Sequence, residues 1–187
     1  MSMMGSAMAR EIETTATGVV YENRWMRVRE DAILRQDGSP GIYGVVEKAD
    51  FALIAPIEDG MIHLVEQYRY PVQGRYWELP QGSWEQAPDT DPLDLARAEL
   101  REETGLTAGT MRHVGHLFEC YGYSQQGFNI YLAEGLRAGE ASREPEEQGM
   151  ISRAFPVAEV MGMIFDGRIK DAATVAALGL LRFKGLF

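Results

Sequence analysis

Three glutamates, Glu99, Glu102 and Glu103, lie within one short segment that carries clear helix signals. Because an α-helix has about 3.6 residues per turn, positions i, i+3 and i+4 share one face, and the three carboxylates should project together. Like charges at this spacing repel each other by about 0.2–0.5 kcal/mol per pair. Clustered carboxylates suit a hard divalent cation such as magnesium, calcium or manganese. The alternative interpretation is an ordinary solvated acidic face.

The flanking residues indicate where this helix begins and ends. Asp91 is a favourable N-cap, and Pro92 occupies the preferred first helical position. Leucine and alanine recur at helical spacing and form one apolar stripe. Gly105 follows the acidic pair and is typical of a helix stop. The sequence therefore predicts an amphipathic helix over residues 92–104, with one apolar side and one acidic side.

Composition limits the classes of protein to which the chain can belong. Its 187 residues, 45% of them apolar, suit one soluble domain, which we place at residues 15–187 after a mobile tail over 1–14. The net charge of −10 argues against nucleic acid and acidic membranes as partners. The chain contains no apolar stretch of about 18 residues, so we expect no membrane span. The single cysteine, Cys120, excludes an internal disulfide and fits a cytoplasmic protein.

Most of the remaining chain reads as strands. Residues 17–34 alternate in polarity without a uniformly apolar face, which indicates strands at an edge or an interface. Further strands are predicted at 42–47, 51–57, 61–69, 111–121, 128–132 and 151–157, and further helices at 158–164 and 170–183. His113 and His116 should point to opposite faces of their strand, because side chains alternate along a strand.

The acidic segment resembles the Nudix box, whose pattern is G-x5-E-x7-R-E-U-x-E-E-x-G-U with U aliphatic. The second half, Glu99-Leu100-x-Glu102-Glu103-x-Gly105-Leu106, matches at every prescribed position. The first half departs from the pattern. Gly82 lies two residues too far upstream, Thr90 occupies the early glutamate position, and Ala98 occupies the arginine position. In the family that arginine helps to orient the glutamates.

The segments around the box extend the resemblance to most of the chain. The runs Gln67-Tyr68-Arg69 and Trp77-Glu78-Leu79-Pro80-Gln81-Gly82 are similar to the segments before the box in ADP-ribose pyrophosphatases and related nucleotide-sugar hydrolases. The resemblance implies an α+β fold, the Nudix α/β/α sandwich with a mixed β-sheet, preceded by N-terminal antiparallel strands. It also implies a homodimer, in which strands over residues 17–48 are exchanged between subunits.

The resemblance assigns roles to individual residues. Glu99, Glu102, Glu103 and the backbone carbonyl of Gln81 would bind Mg²⁺, with Mn²⁺ as a substitute. Glu102 and Glu103 would also be catalytic.

A general base would come from the polar segment 138–148, with Glu147 as the first candidate and Glu146 as the second. The alternative is a mobile acidic loop without a chemical role.

The substrate-binding assignments leave more alternatives open. Arg69 offers a forked donor for phosphate, and Glu78 would orient one end of the substrate, but Arg69 could equally be a structural partner of Glu78. Tyr21 and Trp25 would stack on a base or lie at an interface, and their alternative is core packing within one subunit. Trp77 is interpreted as a core residue.

We therefore expect metal-dependent hydrolysis of the pyrophosphate linkage in ADP-ribose or a related nucleoside diphosphate sugar. The products would be a nucleoside monophosphate and a sugar phosphate. One alternative is a Nudix hydrolase of another nucleotide, such as GDP-mannose or a dinucleoside polyphosphate. Another is a catalytically impaired Nudix domain that binds and senses nucleotides, which the departures at Ala98 and Thr90 favour.

Overall fold

The computed structural model of the protein describes residues 11–142 and 147–187. Within these residues the N-terminal strands are β1 (Ile12–Glu22), β2 (Arg27–Arg35) and β3 (Pro40–Glu47). The later strands are β4 (Phe51–Glu58), β5 (Met61–Arg69), β6 (Gly74–Glu78), β7 (Gln81–Gly82), β8 (Leu106–Phe118), β9 (Gly127–Ala138) and β10 (Ile151–Pro156). The helices are α1 (Pro92–Thr104), α2 (Val157–Phe165) and α3 (Ala172–Phe183), and a 3-10 turn spans Tyr70–Val72.

The described chain divides into two compact units. The first contains the described residues up to Lys48 together with residues 120–125, and the second contains 49–119 and the described part of 126–187. The sequence predicts a single domain over residues 15–187, which includes residues of both units. The first unit is built on an antiparallel sheet with strand order β1-β2-β3.

Strand β1 begins earlier than the sequence pattern indicates. Its first residue is Ile12, within the stretch 1–14 that we predicted as a tail. Ile12 pairs with Arg35 and Thr14 pairs with Ile33, so the start of β1 is fixed by its partner strand. All residues of β1 are exposed, which removes the buried-face periodicity that would have revealed the strand in the sequence.

A mixed sheet forms the centre of the second unit, as predicted. Its strand order is β10-β5-β4-β9-β8, with β6 paired to β5 and β7 paired to β4. Strands β4 and β9 are parallel, whereas the other pairs are antiparallel.

Helices cover both faces of this sheet, which confirms the predicted α/β/α sandwich. Strand β4 packs Phe51, Leu53 and Ala55 into a core with buried residues of α2 and α3. Its alternate residues Ala52 and Ile54 pack with Leu95 and Leu100 of α1 on the opposite face. A strand buried on both faces reads as a continuous apolar run. Burying each large aliphatic side chain contributes about 1.5–3 kcal/mol.

Helix α1 has the predicted boundaries and caps. The Leu93 N–H donates to Oδ1 of Asp91 over 2.9 Å at the N-terminus. Gly105 ends the helix with a φ of +75°, a conformation that favours glycine. A Cβ at Gly105 would also lie 2.6 Å from the Gly139 carbonyl oxygen. The close approach of residues 139–141 therefore requires glycine as well.

Strands β8 and β9 are longer than predicted. β8 begins at Leu106 and β9 continues to Ala138, because these two residues pair with each other. The predicted strands covered only 111–121 and 128–132. The additional residue pairs form between β8 and β9, and the local sequence pattern of either strand does not predict them.

The described helices include none that is both long and apolar enough to cross a membrane.

Candidate functional site

The acidic face of α1 is largely withdrawn from solvent. Glu103 is 1% exposed and Glu99 is 6% exposed, whereas Glu102 is half-buried. A solvated acidic face would expose all three carboxylates. Glu99 and Glu103 therefore belong to an interior site, because burial of a charged group needs compensating partners.

The environment of Glu103 opposes a lone negative charge. Burial raises the pKa of Glu103 well above its ordinary value, and the nearby charges of Glu99, Glu147 and Glu78 raise it further. The Gln81 N–H donates to Oε2 of Glu103 over 3.1 Å, which favours the ionised form but does not offset the other effects. A group of carboxylates with this electrostatic balance attracts a proton or a cation.

Gly82 lies directly against Glu99 in spite of the two extra residues in the loop. A Cβ at position 82 would lie 2.5 Å from Cδ of Glu99. The connection from Gly82 to α1 contains turns, in which Ala87 N–H donates to Trp84 O and Thr90 N–H donates to Ala87 O. Gly82 therefore lies beside Glu99, and the turns between Gly82 and α1 accommodate the two extra residues.

Gln81 joins three parts of the site. It pairs with Leu53 of β4, its N–H binds Glu103, and its side-chain amide donates to Asp171 over 3.3 Å. A role of its carbonyl oxygen as a metal ligand stays a prediction.

The N-terminus of α3 supports the strand that leads into the site. Asp171 caps the helix by accepting the Thr174 N–H over 2.7 Å. The fully buried Thr174 hydroxyl accepts the Leu79 N–H over 2.9 Å. No local sequence pattern indicates this role of Thr174, because its partner is 95 residues away in the chain.

Replacing Thr174 with valine should lower the free energy of unfolding by about 1–3 kcal/mol, because the buried Leu79 N–H loses its acceptor. Chemical denaturation would measure this loss. Thr174→Ser is the matched control, since it keeps the hydroxyl and removes one methyl group. Equal stability of the valine variant and the wild type would contradict the assigned hydrogen bond.

Arg69 and Glu78 are paired with each other. The Arg69 guanidinium donates to both carboxylate oxygens of Glu78, through Nη2 to Oε1 and through Nε to Oε2 over 3.2 Å. Gln67 also donates to Glu78 over 2.8 Å. Burial raises the pKa of Glu78, and the charge of Arg69 opposes this shift. Arg69 is therefore a structural partner of Glu78. Contact between Arg69 and a phosphate stays a prediction.

Glu147 lies close enough to Glu103 to raise the pKa of that carboxyl group. It is half-buried, and its carbonyl accepts the Met150 N–H over 3.0 Å. The start of the same connection is tied to α1, because Ser142 N–H donates to Glu102 O over 3.0 Å. Glu146, the second candidate base, lies outside the described residues. The connection thus returns to the acidic group at Glu147.

The aromatic candidates lie in two different environments. Trp77 is partly buried and contacts Phe155 edge-on at 4.7 Å between ring centroids, as predicted for a core residue. Tyr21 and Trp25 belong to the N-terminal unit and are 52% and 47% exposed. The Arg24 guanidinium lies 4.0 Å from the Trp25 ring centroid. Tyr21 and Trp25 are therefore surface residues of that unit.

The predicted orientation of the two strand histidines is wrong. His113 pairs with Tyr131 and His116 pairs with Asn129, and these two partners share one face of β9. A β-bulge between His113 and Gly115 adds one residue and restores the histidines to a common face. His116 contacts Asp50 at 2.9 Å, and His113 contacts Asn129 at 3.1 Å.

Among the described residues, no three His, Cys, Asp or Glu side chains are arranged so that they could already hold a metal ion. The donor chemistry nevertheless fits a hard cation. Glu99 and Glu103 are buried carboxylates, and their mutual repulsion contributes to the raised pKa of Glu103. Oxygen ligands of this kind suit a divalent metal ion.

Comparison with known families divides the chain at nearly the same place as the two compact units. Residues 48–178 match the family described as "NUDIX domain". Residues 12–46 match the family described as "Nucleoside diphosphate sugar hydrolase N-terminal domain".

Individual relatives match over nearly the whole chain. An ADP-ribose pyrophosphatase of Mycobacterium tuberculosis is 32% identical over 170 residues, covering 90% of this chain and 82% of the relative. A methanol dehydrogenase activator of Bacillus methanolicus is 27% identical over 93% of this chain and 94% of the relative. The crystal structure of an ADP compounds hydrolase matches with a TM-score of 0.83 and 22% identity, covering 97% of this chain and 98% of that one, which shows a shared fold.

Proposed function

Because the chain belongs to the Nudix family and is a Nudix pyrophosphohydrolase, we propose that it hydrolyses the pyrophosphate linkage of ADP-ribose or a related nucleoside diphosphate sugar. The reaction depends on a divalent metal ion and yields a nucleoside monophosphate and a sugar phosphate. The observation that carries this proposal is the buried Glu103 carboxylate, whose charge is opposed by neighbouring carboxylates and which accepts the Gln81 N–H. The name of the Mycobacterium tuberculosis relative supports the choice of substrate.

The metal-binding residues are Glu99, Glu102, Glu103 and the carbonyl oxygen of Gln81. Mg²⁺ is the proposed ion, and Mn²⁺ can replace it. When bound, such an ion neutralises phosphate charge and lowers the pKa of a coordinated water. The protein's part is to keep the carboxylates in place, through the Gln81 N–H that binds Glu103 and through the absent side chain of Gly82 beside Glu99.

Glu147 is the proposed general base. Its charge contributes to the raised pKa of Glu103, and it lies on a connection whose start is bound to the C-terminal end of α1. A carboxylate in this position can accept the proton of the attacking water. Glu102 and Glu103 are catalytic through the metal ion that they hold.

The substrate is contacted by residues outside the acidic group. Arg69, whose side chain is 41% exposed, contacts a phosphate, while Glu78 holds the guanidinium in place and orients that end of the substrate. Tyr21 and Trp25 offer exposed aromatic faces on which a base can stack.

A substrate panel tests the proposal. Purified protein with Mg²⁺ is incubated with ADP-ribose, other nucleoside diphosphate sugars, GDP-mannose and dinucleoside polyphosphates, and the products are identified by mass. We expect AMP and ribose phosphate from ADP-ribose. Preferred cleavage of GDP-mannose or a dinucleoside polyphosphate would reassign the substrate. Thermal stabilisation by nucleotides without any product would instead identify a nucleotide-binding module.

The N-terminal unit is the proposed dimer interface. The whole of β1 is exposed, including Val19, Val20 and Tyr21, and β1 is an edge strand of its sheet. Exposed apolar side chains on a long edge strand favour pairing with another chain.

We expect analytical ultracentrifugation to give the mass of a dimer at micromolar concentration. Val20→Lys should shift the protein towards monomer, because it places a charge in the apolar contact. A wild-type monomer at micromolar concentration would exclude the homodimer.

A further inference from the structure

One face of the β5–β6 hairpin carries polar groups beside the acidic site. Gln67 pairs with Tyr76 and Arg69 pairs with Gly74, so these residues share a face with Glu78. The Tyr76 ring lies over Gly74, where a Cβ would be 2.9 Å from the tyrosine hydroxyl oxygen. The ring therefore covers the hairpin next to Arg69.

Lys170 is held above this ring by the connection between α2 and α3. Its Nζ atom lies 5.1 Å from the Tyr76 ring centroid. The connection runs along β6, because Trp77 N–H donates to Arg168 O over 3.0 Å and Leu79 N–H donates to Thr174 Oγ1 over 2.9 Å. Contacts on both sides of Lys170 thus fix its backbone beside the hairpin.

The two cations on this face differ in how their charge is compensated. Arg69 is ion-paired with the buried carboxylate of Glu78. Lys170 is exposed, and its ammonium forms no ion pair within residues 11–142 and 147–187. It therefore keeps its ammonium hydrogens available to a ligand, while the tyrosine ring limits the side chain's freedom.

Electrostatics favours an anionic ligand at this position. The chain carries a net charge of −10, so a diphosphate approaching the site meets repulsion over much of the surface. Glu78 is three residues before Gln81, whose N–H binds Glu103 over 3.1 Å, so this face of the hairpin leads into the acidic group. The neighbouring Asp171 binds the Gln81 side chain, which links the Lys170 segment to the same loop.

We propose that Lys170, supported by Tyr76, is a substrate-binding residue that contacts the diphosphate of the nucleotide substrate. The inference rests on the proposed function and adds to it a cation that no box or flanking motif indicates. Because Arg69 is ion-paired with Glu78, Lys170 supplies a further positive charge for the diphosphate.

Steady-state kinetics of the full chain with ADP-ribose and Mg²⁺ tests this assignment. Lys170→Ala should raise KM about tenfold and change kcat by less than about twofold, because the contact is made equally in the ground state and the transition state. Lys170→Arg should recover most of the loss. Tyr76→Ala should give a smaller rise in KM, since it removes only the support.

Arg168→Ala is the matched control. It removes a positive charge two positions away that is already ion-paired with Asp166 and Glu159, and it keeps the backbone carbonyl that binds Trp77. An unchanged KM in Lys170→Ala would overturn the assignment, as would an equal rise in Arg168→Ala.

Binding measurements separate this inference from the proposed function. If the wild type cleaves no nucleotide in the panel, the proposed function fails, and calorimetric titration with ADP-ribose compares dissociation constants instead. A roughly tenfold weaker binding by Lys170→Ala would support the assignment without turnover. Equal binding by the two proteins, or no binding by the wild type, would overturn it.

Discussion

Glu103→Gln is expected to reduce hydrolysis of ADP-ribose by orders of magnitude while the protein remains folded. The amide keeps the shape of the side chain and can still accept the Gln81 N–H, but it removes the carboxylate that we propose as a metal ligand. Loss of a metal-binding carboxylate removes stabilisation of the charge that develops on the phosphate. Product formation measured with saturating Mg²⁺ would test this expectation.

The same substitution should make the metal-free protein more stable than the wild type as the pH rises. Burial and neighbouring carboxylates raise the pKa of Glu103 in the folded state above its unfolded value. Such a group contributes stability below its unfolded pKa and loses that contribution as the pH rises through the folded pKa. Wild-type stability in chelator should therefore fall over this range relative to Glu103→Gln.

Thermal unfolding in chelator from pH 4 to pH 8 would measure the difference in Tm between the two proteins. We expect the advantage of the glutamine variant to grow as the pH rises. Glu134→Gln is the control, because that side chain lies at an exposed position of β9. A constant difference across the pH range, or wild-type turnover by Glu103→Gln, would contradict the role of Glu103.

The parts of the site that the sequence predicts are those set by neighbouring residues. Helix α1 follows from the Asp91 cap, the Pro92 start and the Gly105 stop, all within 15 consecutive residues, and the observed helix has the predicted bounds. The spacing of its three glutamates also follows from helix geometry alone. Local signals of this kind need no knowledge of the partner segments.

The parts that the sequence does not predict depend on pairing between distant segments. A single extra residue in β8 reverses the expected relation between His113 and His116, and only pairing with β9 reveals it. The hydrogen bond from Leu79 to Thr174 and the position of Lys170 over Tyr76 likewise join residues about 95 positions apart. No periodicity in either segment records such a contact.

The position of Glu99 depends on the absence of a side chain at Gly82, because a Cβ there would overlap the Glu99 carboxylate. Gly82→Ala should lower kcat/KM about 10–100-fold and raise the Mg²⁺ concentration needed for half-maximal activity, because the new methyl group occupies the position of the Glu99 carboxylate. The backbone at Gly82 does not adopt a positive φ, so alanine introduces no backbone strain. The displaced atoms form the flexible end of a side chain, and the free energy of unfolding should change by less than about 1 kcal/mol.

Gly162→Ala provides the matched control, since a Cβ at that position in α2 meets no atom within 4 Å. It should leave kcat/KM and the Mg²⁺ requirement at wild-type values. A Gly82→Ala variant with wild-type activity would show that Glu99 does not need its observed position. Loss of activity accompanied by unfolding would instead show that Gly82 serves the fold, since displacement of the Glu99 carboxylate alone leaves the core residues of α1 in place.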